Sequence, residues 1–81
     1  MQDLITRAVA ANIKKTRTYR NYTQDYLAAK LGISQNAYSK IELGYSNINI
    51  SRLAKIAEVL EVEIMDMINT AHELPAQLKI G

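Results

Sequence analysis

Only four residues of this 81-residue chain break a helix outright: Gly32, Gly44, Pro75 and Gly81. Glycine and proline are the strongest punctuators of regular structure. Between them the apolar residues recur at three- and four-residue spacing, the period of one face of an α-helix. A chain punctuated in this way folds as an all-α domain, and the breakers place its turns. The spacing predicts a first helix over about residues 3–19, with Ile5, Val9, Ile13 and Thr16 on one stripe and Arg7, Lys14 and Lys15 off it. Asn21 ends it, because asparagine tolerates the left-handed conformation at a helix C-terminus. Thr23 is an N-cap for a second helix that buries Leu27, Ala28 and Leu31 and stops at Gly32. Ser34 caps a third, about residues 35–43, burying Tyr38 and Ile41 and closed by Gly44. After a polar loop, Asn49 caps a fourth helix, about residues 50–60, whose inner face is Leu53, Ile56, Ala57 and Leu60. Residues 63–68 form a short fifth helix. Residues 70–81 lack a clear period, and this tail either docks, through Leu74, Leu78 and Ile80, or hangs free.

Size and chemistry narrow the function. Eighty-one residues make one domain, near the lower end of what folds without staples. The chain has no cysteine, so disulfides and thiolate metal sites are excluded, and a reducing, cytoplasmic setting fits. The single histidine, His72, cannot build a metal site without several carboxylates converging on it. No apolar run approaches the ~20 residues needed to span a bilayer. Acidic Asp3 and the lack of a basic leading segment argue against a secretory signal. No nucleophile–histidine pair, phosphate-binding glycine loop or converging carboxylates are present, so an enzyme is not expected, and neither is a cofactor.

Charge is divided along the chain. Residues 1–52 hold eight basic residues against three acidic, and residues 53–81 hold two against five. A basic face attracts polyanions, although a mixed, solvated surface reads the same way. The stretch Gln24–Leu43 gives that charge a shape. Two short helices joined by a glycine turn, the second opening with Ser34, Gln35 and Asn36, set a row of hydrogen-bonding side chains along one exposed edge. That edge is sized for the major groove of DNA.

The ordered string from Tyr22-Thr23-Gln24 through Ile41-Glu42-Leu43-Gly44, followed by Leu53-Ala54-Lys55-Ile56-Ala57, resembles the lambda-repressor-like, or XRE-type, helix-turn-helix proteins. The resemblance runs from about Ile13 to Ile68. It implies a compact five-helix DNA-binding domain over residues 1–69, with the helix-turn-helix made by helices two and three. The 70–81 tail is then a dimerisation or disordered segment. By position, base reading falls on Gln35, Asn36 and Lys40, with Ser39 beside them. Glutamine and asparagine pair bidentately with adenine N6 and N7, and lysine donates to guanine O6 and N7. The resemblance assigns DNA-backbone contacts to Thr23, Gln24, Tyr45, Ser46, Asn47 and Asn49, with Lys14 and Arg20 as electrostatic helpers. Gln24 is also expected to brace Gln35. Arg17 and Glu42 fall where several family members carry a semi-buried ion pair between helices one and three; the alternative is two independent surface charges.

Three residues depart from the family pattern. Thr16 stands where leucine is common. Tyr38 replaces a branched aliphatic residue and needs a partner for its hydroxyl. Glu61 stands where glycine often ends helix four, which suggests an end without a left-handed glycine cap. The implied function is a transcriptional regulator, a repressor, binding double-stranded DNA as a homodimer on a palindrome with half-sites about 34 Å apart. Met65, Ile68, Leu74 and Leu78 are the expected interface. The alternatives are an antitoxin whose tail binds a toxin, and a protein-interaction adaptor without DNA binding. The five tyrosines fall on different elements, which argues against a stacking platform for single strands.

Overall fold

The structure, a computed structural model, describes residues 4–69. Five helices follow in order: α1 Leu4–Tyr19, α2 Gln24–Leu31, α3 Gln35–Glu42, α4 Ile50–Leu60 and α5 Ile64–Ile68. No strand occurs among the described residues. The boundaries fall within a residue or so of the expected ones; the third helix stops at Glu42 rather than Leu43. The expected tail, with His72, Leu74, Leu78 and Ile80, lies outside the described residues.

Local chemistry starts these helices. The first turn of a helix leaves its backbone N–H groups unpaired, and a short polar side chain just before it supplies an acceptor. Thr23 Oγ1 accepts from Tyr26 N at 3.0 Å, Ser34 Oγ from Ala37 N at 3.0 Å, and Asn49 Oδ1 from Arg52 N at 2.7 Å. At α5 the reach is reversed, and Asp66 Oδ2 accepts from Glu63 N at 3.2 Å.

One device ends α1 to α4. Each is followed by a residue with positive φ: Asn21 at 63°, Gly32 at 71°, Gly44 at 78° and Glu61 at 61°. The next amide then folds back onto a carbonyl five residues earlier: Tyr22 N to Arg17 O, Ile33 N to Ala28 O, Tyr45 N to Lys40 O and Val62 N to Ala57 O, all at 2.9–3.1 Å. This is the Schellman closure. Glu61 meets the expectation that α4 ends without a left-handed glycine, yet the left-handed turn itself is kept. The left-handed cap is present, carried by a residue with a Cβ. Arg20 explains how it is held. Its Nε donates to Leu60 O at 2.9 Å and its NH2 group to Glu61 O at 3.1 Å. A guanidinium thus covers the negative end of α4, where a cation is favoured.

The core gathers Val9 and Ile13 of α1, Leu27 and Ala28 of α2, Tyr38 and Ile41 of α3, Leu53, Ile56, Ala57 and Leu60 of α4, and Met67 of α5. Ile5 does not join it. That residue is 60% exposed and Leu4 80%, whereas Ala10 is buried. Asn12 ties α1 to α5, its Nδ2 donating at 2.8 Å to the carbonyls of both Met67 and Asn69. With α1, α4 and α5 as backing, α2 and α3 are left with one face each to solvent.

Candidate functional site

Glu42 is the one buried charged side chain among the described residues, and it sits at the end of α3. Burying a carboxylate is costly unless every oxygen is matched. Here Arg17 of α1 donates from Nε to Oε2 at 2.5 Å and from NH2 to Oε1 at 3.1 Å. Tyr38 donates its hydroxyl to Oε2 at 2.6 Å, and Gln24 of α2 donates from Nε2 to Oε1 at 3.0 Å. Arg17 uses NH1 for the carbonyl of Tyr22, 2.8 Å away. Three helices therefore meet on one carboxylate. Arg17 and Glu42 form the expected ion pair, and Tyr38 has the partner that its buried hydroxyl required. Burial pushes the Glu42 carboxyl up, but the bonds from Arg17, Tyr38 and Gln24 outweigh it and hold the group below its ordinary range. The Arg17 guanidinium is raised, through its bond to Glu42 against the cost of burial. Burial and the bond to Glu42 raise the Tyr38 phenol well above its usual range.

The network fixes which face α3 turns outward. Tyr38, Ile41 and Glu42 point into the protein. At 3.6 residues per turn the opposite face centres on Asn36 and Lys40, one turn apart. Gln35, Asn36 and Lys40 are exposed and Ser39 is half-buried, so the four residues expected to read bases share one accessible surface. Leu43 belongs to the same strip and is 56% exposed. Sequence reasoning placed it only as the end of a helix; the break in apolar periodicity at that position was the available signal.

Each flank of this strip leads to a group of the other candidate residues. Gln35 and Ser39 lie on the flank toward Glu42 and the first turn of α2. Gln24 opens that turn, and its amide nitrogen donates to Glu42; no bond to Gln35 accompanies it among the described residues. Thr23 uses its hydroxyl oxygen as a cap and keeps its proton to donate. On the other flank Ile33, Ala37 and Ile41 floor a cleft of about 190 Å3 whose opposite wall is Ser46, Asn47, Asn49 and Arg52. Asn49 spends its Oδ1 on the cap of α4, which leaves its amide nitrogen free. The Arg52 guanidinium has no ion-pair partner among the described residues. Arg52 was absent from the sequence-based set because it falls inside the fourth helix, beyond the polar loop. Tyr45 is 66% exposed and Lys14 is exposed on α1. Arg20 differs from the other candidates: its Nε and NH2 groups donate to the carbonyls at the end of α4, a structural role.

The tyrosines form no continuous platform. Tyr38 is core, Tyr19 and Tyr45 are exposed on separate elements, and Tyr22 packs against Tyr26 with ring centroids 4.6 Å apart. Lys30 Nζ lies 5.5 Å from the Tyr26 ring centre, a cation–π distance. Among the described residues no cluster of three or more histidine, cysteine or carboxylate side chains could hold a metal ion. No described helix is long and apolar enough to cross a membrane.

Comparison with known proteins places this geometry. A family model described as helix-turn-helix matches residues 13–66. The SPbeta prophage-derived uncharacterized HTH-type transcriptional regulator YonR of Bacillus subtilis is 32% identical over 60 residues, covering 74% of this chain and 56% of YonR. The uncharacterized HTH-type transcriptional regulator YqaE of the same organism is 38% identical over 53 residues, covering 65% of this chain and 46% of YqaE. The chain thus spans about half the length of these curated relatives. Among solved structures, SinR of Bacillus subtilis, the master regulator for biofilm formation, determined in complex with DNA, superposes with a TM-score of 0.69 at 29% identity, covering 75% of this chain and 98% of that one.

Proposed function

Because the chain belongs to the XRE-type, lambda-repressor-like helix-turn-helix family, we propose that it is a sequence-specific, double-stranded DNA-binding transcriptional regulator. The observation that carries this reading is the outward polar strip of α3, Gln35, Asn36, Ser39 and Lys40, held in place by the buried Glu42 network. With α3 in the major groove, Asn36 and Gln35 supply bidentate contacts to adenine and Lys40 a donor to guanine. Gln24, Thr23 and the amides opening α2 serve one strand's phosphates, since a helix N-terminus attracts anions. Tyr45, Ser46, Asn47, Asn49 and Arg52 serve the other strand. Lys14 adds attraction without sequence information. The domain occludes the DNA it covers, hence a repressor. A homodimer on a palindrome supplies the contact area that one small domain lacks. The 67% exposed Met65 on α5 supports a second copy there.

Selection of random duplexes by the purified protein is expected to return a palindrome. In the Gln35→Ala, Asn36→Ala double variant, discrimination should fall by about 30-fold or more, since each bidentate pair is worth ~1–3 kcal/mol. Both side chains are exposed, so the unfolding midpoint should stay put. Unchanged discrimination in a folded double variant refutes the assigned readers.

A further inference from the structure

The cleft beside α3 has a composition that simple phosphate binding does not call for. Its rim is polar and basic: the Ser46 hydroxyl, the Asn47 and Asn49 amides and the Arg52 guanidinium. Its apolar lining is Ile33 from the turn before α3, with Ala37 and Ile41 of α3 one turn apart. Ile41 is buried and Ile33 half-buried, while Ala37 is exposed at the mouth. At about 190 Å3 the cleft is below the roughly 300–1,000 Å3 of small-molecule pockets. Ala37, which is exposed, follows directly on Asn36 of the outward strip.

A duplex offers one group that matches both parts. The C5-methyl of thymine is the one apolar group on the major-groove edge of the base pairs. It lies at the side of the groove, next to the backbone of its own strand. A helix seated in the groove therefore meets that methyl with its flank, while the adjoining phosphate faces whatever stands beyond the flank. Here the flank is Ala37 over Ile33 and Ile41, and beyond it stand Arg52 and the three loop side chains. We propose that Ala37 is a specificity-determining residue that reads a thymine methyl of the operator strand whose backbone is gripped by Ser46, Asn47, Asn49 and Arg52. The inference rests on the DNA-binding reading and goes beyond it in naming a base and an apolar reader outside the polar strip.

The test uses the full chain and the duplex it selects. Each thymine is replaced in turn by uracil, which removes the methyl and leaves pairing and hydrogen-bonding edges unchanged. Binding is followed by fluorescence anisotropy. One thymine per half-site is expected to lose about fourfold in affinity on demethylation, the worth of one buried methyl group. In Ala37→Ser that position should no longer distinguish thymine from uracil, because a hydroxyl stands where the methyl packed. Leu43→Ala, altering the exposed apolar side chain that caps the end of α3, should retain the difference. A protein that binds its selected duplex selectively but shows no uracil effect overturns the inference and leaves the DNA-binding reading standing. So does an Ala37→Ser variant with an unchanged thymine preference. If no duplex is selected at all, both fall together.

Discussion

Replacing Glu42 removes one ion pair and frees three donors at once: Arg17, Tyr38 and Gln24. Breaking a buried pair from one side costs ~3–5 kcal/mol, because the surviving charge stays buried. Glu42→Ala is therefore expected to lose most of the stability of so small a domain, measured by urea unfolding followed by circular dichroism. Glu42→Gln keeps the shape and loses the charge, which separates packing from electrostatics. Its distinguishing sign lies in pH. The folded carboxyl is held below its ordinary value of 4.5, so the folded state binds fewer protons than the unfolded one as pH enters that range. The charge of Glu42 thus stabilises fully above about pH 4.5, and its contribution fades as pH falls through the lowered folded value. Melting temperatures of wild type and Glu42→Gln should differ most near about neutral pH and converge under acid. A constant gap down to strong acid would show that the carboxylate charge is not what the network uses. The ion pair itself was legible, since family position points to Arg17 and Glu42. The third partner was not. Nothing in the spacing of Gln24 and Glu42 says that α2 and α3 bring them within 3.0 Å.

At the level of whole helices, what could be read depended on the reach of the interaction. Thr23, Ser34 and Asn49 announce helix starts because a cap bonds an amide three residues on. Asn21, Gly32 and Gly44 announce ends because their residue types favour positive φ. Glu61 does the same job without the residue type, and its support, Arg20, is about forty residues away. Long-range partnerships leave no local mark, and the Asn12 tie from α1 to α5 was invisible for the same reason. Two substitutions test the α4 terminus. A left-handed side chain costs ~1–2 kcal/mol, and glycine returns ~0.4–1 kcal/mol of that through the freedom of its unfolded chain. Glu61→Gly should therefore stabilise the domain by roughly 0.5 kcal/mol. Arg20→Ala removes two charge-assisted bonds and should destabilise by about 1–2 kcal/mol. The same variant also separates structure from binding. Its DNA affinity should keep the wild-type salt dependence, because its guanidinium sits on carbonyls rather than phosphates. A salt slope reduced by about 0.9 per copy, about 1.8 on the palindrome, would restore Arg20 as a phosphate contact.

At the scale of the molecule, the division of charge along the chain turns into a prediction about stoichiometry. Of the cations without an ion-pair partner among the described residues, the proposed docking brings three to the duplex: Lys40 on the strip, Arg52 beyond the cleft and Lys14 on α1. Arg17 and Arg20, basic by count, are both consumed internally. Counting charge along the sequence therefore overstates what DNA would meet, and only the folded protein sorts the two kinds. Each phosphate neutralised contributes ~0.9 to the slope of log affinity against log salt concentration. Those three cations per copy, if each neutralises one phosphate, give a slope of about −2.7 for a single copy and about −5.4 for two copies on a palindrome. Titrations of the selected duplex between about 50 and 200 mM salt should return the larger value. Lowering Arg52 to glutamine in both copies should flatten it by about 1.8, whereas Arg20→Ala should leave it alone. A slope near −3 on a full palindrome would mean that one copy binds at a time, and the dimer would have to be given up while the reading face of α3 kept its assignment.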